Sequence, residues 1–311
     1  MDSSTQGSCA GALILAAMGM FAVSGEPGHR STSAQPLVKP AAAAVRASAE
    51  PAWQTLPATP ALPAADRSGH ALLNGVKIWY AVFGHGEPVL LLHGGLANSN
   101  YWGNQVPVLA KHCQVIVMDS RGHGRSTSNE LSPSYRLMAS DVAGLLDFLK
   151  IPKASIVGWS DGAIVGLELA INRPNRLTGL FAFAANSDPS GVHDTSRNAL
   201  FNSYLARTEK EYTALSPTPR GYKSFLAQIT QMWSTEPNFT AEQLQGIKAP
   251  TWIVAPDRDE AIKRANTLFM ADRIPGAGLL IQPGVSHFSF LQEPQQFNDD
   301  VLNFVERVQG L

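Results

Sequence analysis

The segment from Gly158 to Gly162 (Gly-Trp-Ser-Asp-Gly) combines a nucleophilic side chain with the spacing that would expose it. It matches the pattern G-x-S-x-G and lies between an apolar run, Ala154–Val157, and a segment with helical spacing, Ala163–Ile171. In such a strand-turn-helix context the serine hydroxyl projects from a tight turn, and the small flanking residues leave room for the backbone. We therefore expect Ser160 to be a nucleophile for acyl transfer rather than part of a simple glycine-rich connection.

A serine hydroxyl is a weak nucleophile at neutral pH, so it needs a general base within hydrogen-bond reach. His287 comes soon after the apolar run Leu279–Gln282, at the strand end where Ser160 would also emerge. We expect His287 to be this base. The other histidines lie in the N-terminal segment, at hairpin or helix edges, in glycine-rich turns or after residue 185: His29, His70, His85, His93, His112, His123 and His193.

The base in turn needs a carboxylate that orients its ring. Asp257 and Asp259 both follow the apolar run Thr251–Ala255, and Asp188 follows the run Leu177–Ala184. Any of the three satisfies the chain order Ser, Asp, His that accompanies this kind of turn. Spacing from the strand does not separate Asp257 from Asp259, and each is also compatible with an ordinary surface carboxylate.

Acyl transfer by a serine also requires hydrogen-bond donors for the oxyanion of the tetrahedral intermediate. The backbone N–H of Asp161, the residue after the nucleophile, is one candidate. The other is Gly95 in the segment His-Gly-Gly-Leu, which follows the apolar run Val89–Leu92. A missing side chain at Gly95 would let the backbone approach a substrate; the alternative is that the two glycines only form a tight turn.

The elements that must position these residues alternate along the chain. Alternating strands and helices predict an α/β fold, a mostly parallel central sheet flanked by helices on both faces. Near residue 74, Asn-Gly between two apolar segments predicts a hairpin, which would add one antiparallel strand at the edge of the sheet. Residues 185–250 interrupt the alternation, and their helically spaced apolar positions predict a helical insertion over the carboxyl ends of the strands.

Composition excludes several classes of function. The chain of 311 residues has 24 Lys and Arg against 25 Asp and Glu, and residues 67–311 contain 21 of each sign. This balance gives no electrostatic footprint for nucleic acid or for an anionic membrane, and it favours an uncharged substrate. Two cysteines, Cys9 and Cys113, are too few for a disulfide framework. We expect no cofactor and no metal ion, and the sequence leaves the oligomeric state open.

The first 66 residues differ in composition from the rest. Residues 10–23 are an uncharged apolar run, too short to span a bilayer but typical of a secretory signal, although no Lys or Arg precedes it. Residues 25–66 are rich in Ala and Pro, which predicts an extended, mobile linker. We expect a signal peptide in residues 1–24, export to the periplasm or the medium, and no stable membrane anchor; the alternative is a cytoplasmic protein with a disordered extension.

Residues 67–311 resemble the α/β-hydrolase fold family, on motifs that occur in the family's order: Leu91–Gly95, Asp119–Ser126, Gly158–Gly162, Ile253–Glu260 and Pro283–Phe288. In the family the acid commonly stands three residues after a glycine that closes its strand. Pro256 occupies that position here, so the offset selects Asp259, and the change from Gly to Pro leaves Asp257 open. The resemblance also implies a core of residues 67–184 and 251–311, with residues 185–250 as the helical cap.

The motifs and the resemblance together imply a serine hydrolase that cleaves a small carboxylic ester or lactone through an acyl-enzyme. Serine at position 160 argues against the dehalogenases and epoxide hydrolases of the family, which use an aspartate nucleophile. A C–C bond hydrolase or an amidase of the same fold is the alternative. A non-catalytic binding protein on this scaffold is a further alternative, because a fold does not dictate a function.

Overall fold

The structure, a computed structural model, describes residues 50–310. The predicted signal peptide and residues 25–49 of the predicted linker lie outside the described residues. Eight strands are described: β1 (Arg67–Leu73), β2 (Val76–Phe83), β3 (Pro88–Leu92), β4 (Gln114–Met118), β5 (Ala154–Trp159), β6 (Leu177–Phe183), β7 (Thr251–Pro256) and β8 (Gly278–Gln282). They form one sheet in the order β1-β2-β4-β3-β5-β6-β7-β8, and the predicted mostly parallel sheet is confirmed.

One strand of the described sheet, β2, runs against the others. It pairs antiparallel with β1 on one side and with β4 on the other, while β3 to β8 are linked by parallel registers. The hairpin therefore lies at the edge of the sheet as expected. The reversed strand is second from the edge and not outermost, because the Asn74-Gly75 turn reverses the chain once and returns β1 to the common direction.

Helices cover both faces of the sheet. They are α1 (Val106–Leu109), α2 (Tyr135–Phe148), α3 (Asp161–Asn172), α4 (Ala199–Leu215), α5 (Tyr222–Thr235), α6 (Ala241–Gln245), α7 (Arg264–Arg273), α8 (Ser289–Gln292) and α9 (Pro294–Gln309). In β3, Leu90 and Leu92 pack into the apolar layer under α2 and α3, while Val89 and Leu91 pack into the layer under α9. This alternation explains why the strand reads as a continuous apolar run. Among residues 50–310 no helix is both long and apolar enough to cross a membrane.

The predicted helical insertion corresponds to α4, α5 and α6, which lie between β6 and β7. Its helices begin at side chains that satisfy free backbone N–H groups. Asn198 accepts a hydrogen bond from the N–H of Phe201 at the start of α4, and Thr240 and Gln243 form a reciprocal capping box at the start of α6. Local sequence therefore fixes where the helices of the insertion start.

Residues 50–66, which we call the strap, differ from the mobile linker that their composition predicts. The Leu56 and Pro57 carbonyls accept hydrogen bonds of 2.7 and 2.6 Å from the guanidinium of Arg207 on α4. Apolar side chains of the strap pack partly buried against the core: Leu56, Leu62 and Ala65. Proline keeps this segment extended, and the donors that meet its carbonyls attach it to the folded body.

Candidate active site

The chain turns sharply at Ser160, between the fully buried strand β5 and the helix α3. Ser160 has φ 53° and ψ −118°, a strained conformation for a residue with a side chain. Backbone hydrogen bonds hold it there: its N–H donates to the Phe183 carbonyl, and its own carbonyl accepts from the N–H groups of Ala163 and Ile164. The hydroxyl is therefore presented at the carboxyl end of the sheet.

The two glycines of the turn are required by close backbone approaches. A Cβ at Gly158 would collide with the Gly162 carbonyl oxygen, and a Cβ at Gly162 would collide with the carbonyl oxygen of Leu92 in β3. The G-x-S-x-G spacing thus has the steric origin that the sequence pattern suggests.

His287 and Asp259 are brought together from the loops after β8 and β7. The Nδ1 of His287 donates to Oδ1 of Asp259 at 3.0 Å, and both side chains are about 95% buried. Oδ1 of Asp259 also accepts from the N–H groups of Ala261 and Ile262, both at 2.9 Å. With its proton on Nδ1, the His287 ring has Nε2 free to act as an acceptor.

The other two candidate carboxylates contact different groups. Asp257 accepts a hydrogen bond from the Val285 N–H at 3.3 Å and lies 3.7 Å from the exposed guanidinium of Arg258. Asp188 caps a short helical turn through Ser190 and also bonds Asn266. Of the three aspartates that the sequence leaves open, Asp259 is the one that contacts the imidazole of His287.

A second carboxylate lies beside His287. Oε2 of Glu260 accepts the backbone N–H of His287 at 3.1 Å, while its Oε1 is buried without a hydrogen-bond partner among the described residues. Burial alone lowers the pKa of His287. The charge and hydrogen bond of Asp259 outweigh burial, the charges of Glu260 and Asp161 add to them, and the pKa of His287 lies above its ordinary value.

The carboxylate of Asp161 is buried at the start of α3. Its Oδ1 accepts from the Tyr135 hydroxyl at 3.0 Å, and its two oxygens accept from Nε1 of Trp233 at 3.0 and 2.9 Å. Burial raises the pKa of Asp161 to about 6, although these two donors partly oppose the shift. The backbone N–H of Asp161 belongs to the first turn of α3, where no intrahelical acceptor exists.

The loop that carries Gly95 is shaped by His93. The Gly94 carbonyl accepts from Nδ1 of His93 at 2.8 Å and from the Ala97 N–H at 3.2 Å, while Nε2 of His93 accepts from the Ser120 N–H at 3.0 Å. This pairing requires the neutral ring, and burial indeed lowers the pKa of His93. Because the Gly94–Gly95 peptide is planar and trans, the Gly95 N–H points away from the Gly94 carbonyl.

The absent side chain at position 95 has a different use from the one expected. A Cβ at Gly95 would collide with the carboxylate of Asp161 and with the ring of Trp233. Gly95 does not line the neighbouring cavity, so the glycine makes room for these two side chains and not directly for a substrate.

Ser160 and His287 open onto one cavity of about 120 Å³ between the sheet and the insertion. Its lining is Tyr135, Ser160, Asp161, Asn186, Val192, Thr195, Phe201, Trp233, Glu236, Ala261, Ile262 and His287. Two of these side chains, Asp161 and Glu236, are carboxylates, and the set includes neither Lys nor Arg. The cavity is small, partly apolar and bounded by acidic groups.

Comparison with known proteins agrees with this architecture. The sequence profile of a family described as alpha/beta hydrolase fold matches residues 87–224. The chain belongs to the α/β-hydrolase family. Like its relatives, this α/β hydrolase is an enzyme of the hydrolase class.

The hydrolase is similar to proteins of several specificities. It is 25% identical to 2-hydroxy-6-oxo-6-(2'-aminophenyl)hexa-2,4-dienoic acid hydrolase of Metapseudomonas resinovorans, over 75% of this chain and 89% of that protein. It is 26% identical to Serine hydrolase BPHL of Mus musculus, over 77% of this chain and 86% of that protein. A solved structure of Est816, an N-acyl homoserine lactone degrading enzyme, is 29% identical with a TM-score of 0.62 over 76% of this chain and 100% of Est816.

Several residues of this hydrolase's cavity have no strong signal in the sequence. Of four apolar side chains that the sequence suggests for a pocket, Trp233 lines the cavity, whereas Trp102, Trp159 and Met232 are buried in the core. Tyr135 and Glu236 are missed altogether. Both reach the site from helix ends far along the chain, and nothing in their local sequence distinguishes them from surface residues.

Proposed function

We propose that this α/β hydrolase cleaves a small, uncharged carboxylic ester or lactone through an acyl-enzyme on Ser160. One observation carries the proposal: Ser160 and His287 line the same cavity while Nδ1 of His287 donates to Asp259. Nucleophile, base and orienting acid are the three groups that this chemistry needs, and they come in the expected chain order.

In the first half of the reaction, Ser160 attacks the substrate carbonyl carbon and Nε2 of His287 takes the serine proton. Asp259 holds the ring and stabilises the imidazolium that forms. The N–H groups of Gly95 and Asp161 donate to the oxyanion of the tetrahedral intermediate. The imidazolium then gives its proton to the departing alcohol oxygen, which leaves an ester of Ser160.

In the second half, His287 removes a proton from water, and the resulting hydroxide equivalent attacks the acyl carbon. A second tetrahedral intermediate collapses to release the carboxylic acid and to return the proton to Ser160. No group beyond these side chains and water is needed to balance the reaction, which agrees with the expected lack of a cofactor.

The charge of the cavity favours neutral substrates over anions. Asp161 and Glu236 line the cavity, and no Lys or Arg among the lining residues opposes them. An anionic substrate would lose its hydration there without gaining a cation. This argues against the C–C bond hydrolysis of a dienoic acid named for one relative, and for the neutral acyl group of the lactone named for another.

A panel of esters tests the proposal. We expect the full-length protein to hydrolyse p-nitrophenyl acetate and butyrate, and a simple γ-lactone, with kcat/KM at least about tenfold higher for butyrate than for a p-nitrophenyl ester whose acyl chain ends in a carboxylate. Ser160→Ala should lose activity by about 10³-fold or more. Unchanged hydrolysis by Ser160→Ala, or a preference for the anionic ester, would overturn the proposal.

A further inference from the structure

The insertion contributes a buried hydroxyl to the loop that carries Gly95. Tyr204 on α4 is 3% exposed, and its hydroxyl donates to the Gly95 carbonyl at 2.6 Å. We propose that Tyr204 is a positioning residue for the oxyanion hole: it fixes the loop so that the Gly95 N–H stays aimed at the substrate oxygen. This inference rests on the proposed function, since it assumes that Gly95 donates to the oxyanion.

Two peptide planes meet at the Cα of Gly95, and both must be fixed for its N–H to keep one direction. The plane before it is held through the Gly94 carbonyl by His93 and the Ala97 N–H. The plane after it is held through the Gly95 carbonyl by Tyr204. Glycine has no side chain to restrict its φ and ψ, so the second plane depends on this contact from outside the loop.

The next residue adds a reason for an external support. Leu96 has φ 65°, a left-handed conformation that residues with a Cβ rarely adopt. A strained residue of this kind persists only where its surroundings over-determine it. The hydrogen bond from Tyr204 acts on the peptide that joins Gly95 to Leu96, and thus opposes relaxation of that peptide to a commoner conformation.

The ring of Tyr204 is itself held beside both reacting side chains. Its centroid lies 5.9 Å from the ring of Trp159, the residue before Ser160, in an edge-to-face contact. It lies 5.0 Å from the ring of Phe288, the residue after His287. Tyr204 therefore packs against the neighbours of the nucleophile and of the base while it bonds the third part of the site.

The position of α4 is fixed from the same face. Arg207 and Glu211 lie one and two turns after Tyr204, so the three side chains share a side of the helix. Arg207 donates to strap carbonyls, and Glu211 accepts from the Thr59 hydroxyl at 2.5 Å. Glu211 also accepts from the side chain of Asn98 at 3.2 Å, directly after the Gly95 loop. These contacts tie the strap, α4 and the loop together.

Tyr204→Phe removes only the hydroxyl, and Tyr222→Phe is its matched control. Tyr222 is 6% exposed at the start of α5, and its hydroxyl also lies on a backbone carbonyl, that of Leu205 at 3.2 Å, and on Thr208. The two variants therefore lose similar buried hydrogen bonds, one at the Gly95 loop and one within the insertion. Their melting temperatures show whether the structural cost is the same.

For Tyr204→Phe we expect kcat on p-nitrophenyl butyrate to fall about tenfold or more while KM changes by less than about twofold, because a misaimed oxyanion donor affects the transition state more than substrate binding. The rate constant for labelling by a fluorophosphonate probe should fall in parallel, since its attack also develops charge on an oxygen. Tyr222→Phe should keep both values.

Wild-type kinetics in Tyr204→Phe, or equal losses in both variants, would overturn the role of Tyr204 and leave the proposed function standing. A wild-type protein that hydrolyses no ester and is not labelled at Ser160 would overturn the proposed function itself, and the role of Tyr204 with it.

Discussion

Two aspartates that lie two positions apart in the sequence have different environments in the structure. Asp259 receives three hydrogen bonds on one oxygen, one of them from His287, whereas Asp257 faces the Val285 N–H and the exposed Arg258. A β-turn of chain after a strand can point either residue inward. The sequence therefore narrows the acid to a short segment, and the three-dimensional contact separates its members.

Asparagine at each position tests this assignment. We expect Asp259→Asn to lower kcat on p-nitrophenyl butyrate by about 10³- to 10⁴-fold, because an amide cannot hold the His287 ring in the tautomer that accepts the serine proton. Asp257→Asn is the control and should stay within about threefold of wild type. A larger loss in Asp257→Asn than in Asp259→Asn would assign the acid to Asp257.

Glu260 adds a pH dependence to the site. His287 must be neutral to accept the serine proton, and its pKa is raised, so kcat/KM should fall as the pH drops through a value above the ordinary histidine pKa of about 6.5. Glu260 contributes to this increase through its charge. Glu260→Gln keeps an acceptor for the His287 N–H but removes the charge, and should move the acid limb to lower pH.

The measurement is the pH profile of kcat/KM between pH 5 and 9 for wild type, Glu260→Gln and a control, Glu306→Gln, whose carboxylate is exposed on α9. The control should overlay wild type. An acid limb that stays in place or moves to higher pH in Glu260→Gln would show that the charge of Glu260 does not act on His287.

At the scale of elements, local patterns predict what local forces decide. Apolar runs between turn residues gave the strands, and the Gly158–Gly162 pattern gave the elbow, because backbone sterics at that turn depend on nearby residues. The direction of β2 and the attachment of the strap depend on partners remote in sequence. Proline and alanine in the strap predict an extended backbone, but not that Arg207, about 150 positions later, meets its carbonyls.

The strap should contribute to stability through Arg207. Arg207→Leu removes two charge-assisted hydrogen bonds, and we expect the free energy of unfolding to fall by about 1–3 kcal/mol. Lys210→Leu, which removes an exposed cation from the same helix, should change it by less than about 0.5 kcal/mol. Urea unfolding measures both variants.

Hydrogen exchange locates the effect of Arg207→Leu. Peptides that cover residues 50–66 should exchange faster in this variant than in Lys210→Leu, with little change in β5 and β6. Equal stability and equal exchange in the two variants would mean that the strap is held by its apolar contacts and not by Arg207.

At the scale of the whole molecule, net charge is a poor guide to the site. Residues 67–311 carry 21 charges of each sign, yet the cavity beside Ser160 is lined by two carboxylates and by no Lys or Arg. A sum over the chain averages charges that water screens at the surface, whereas a substrate meets the few that line the cavity. The balanced composition and the acidic cavity both disfavour anionic substrates, but only the cavity gives a physical reason.

The central claim is that Ser160 forms a covalent acyl-enzyme, and covalent trapping tests it most directly. The folded protein is treated with a fluorophosphonate probe, and its intact mass and peptide map are compared with those of Ser160→Ala. The account predicts one phosphonyl group per wild-type chain, on the peptide that contains Ser160, and none on Ser160→Ala. An unlabelled folded wild type, or a label on another residue with ester hydrolysis intact in Ser160→Ala, would contradict it.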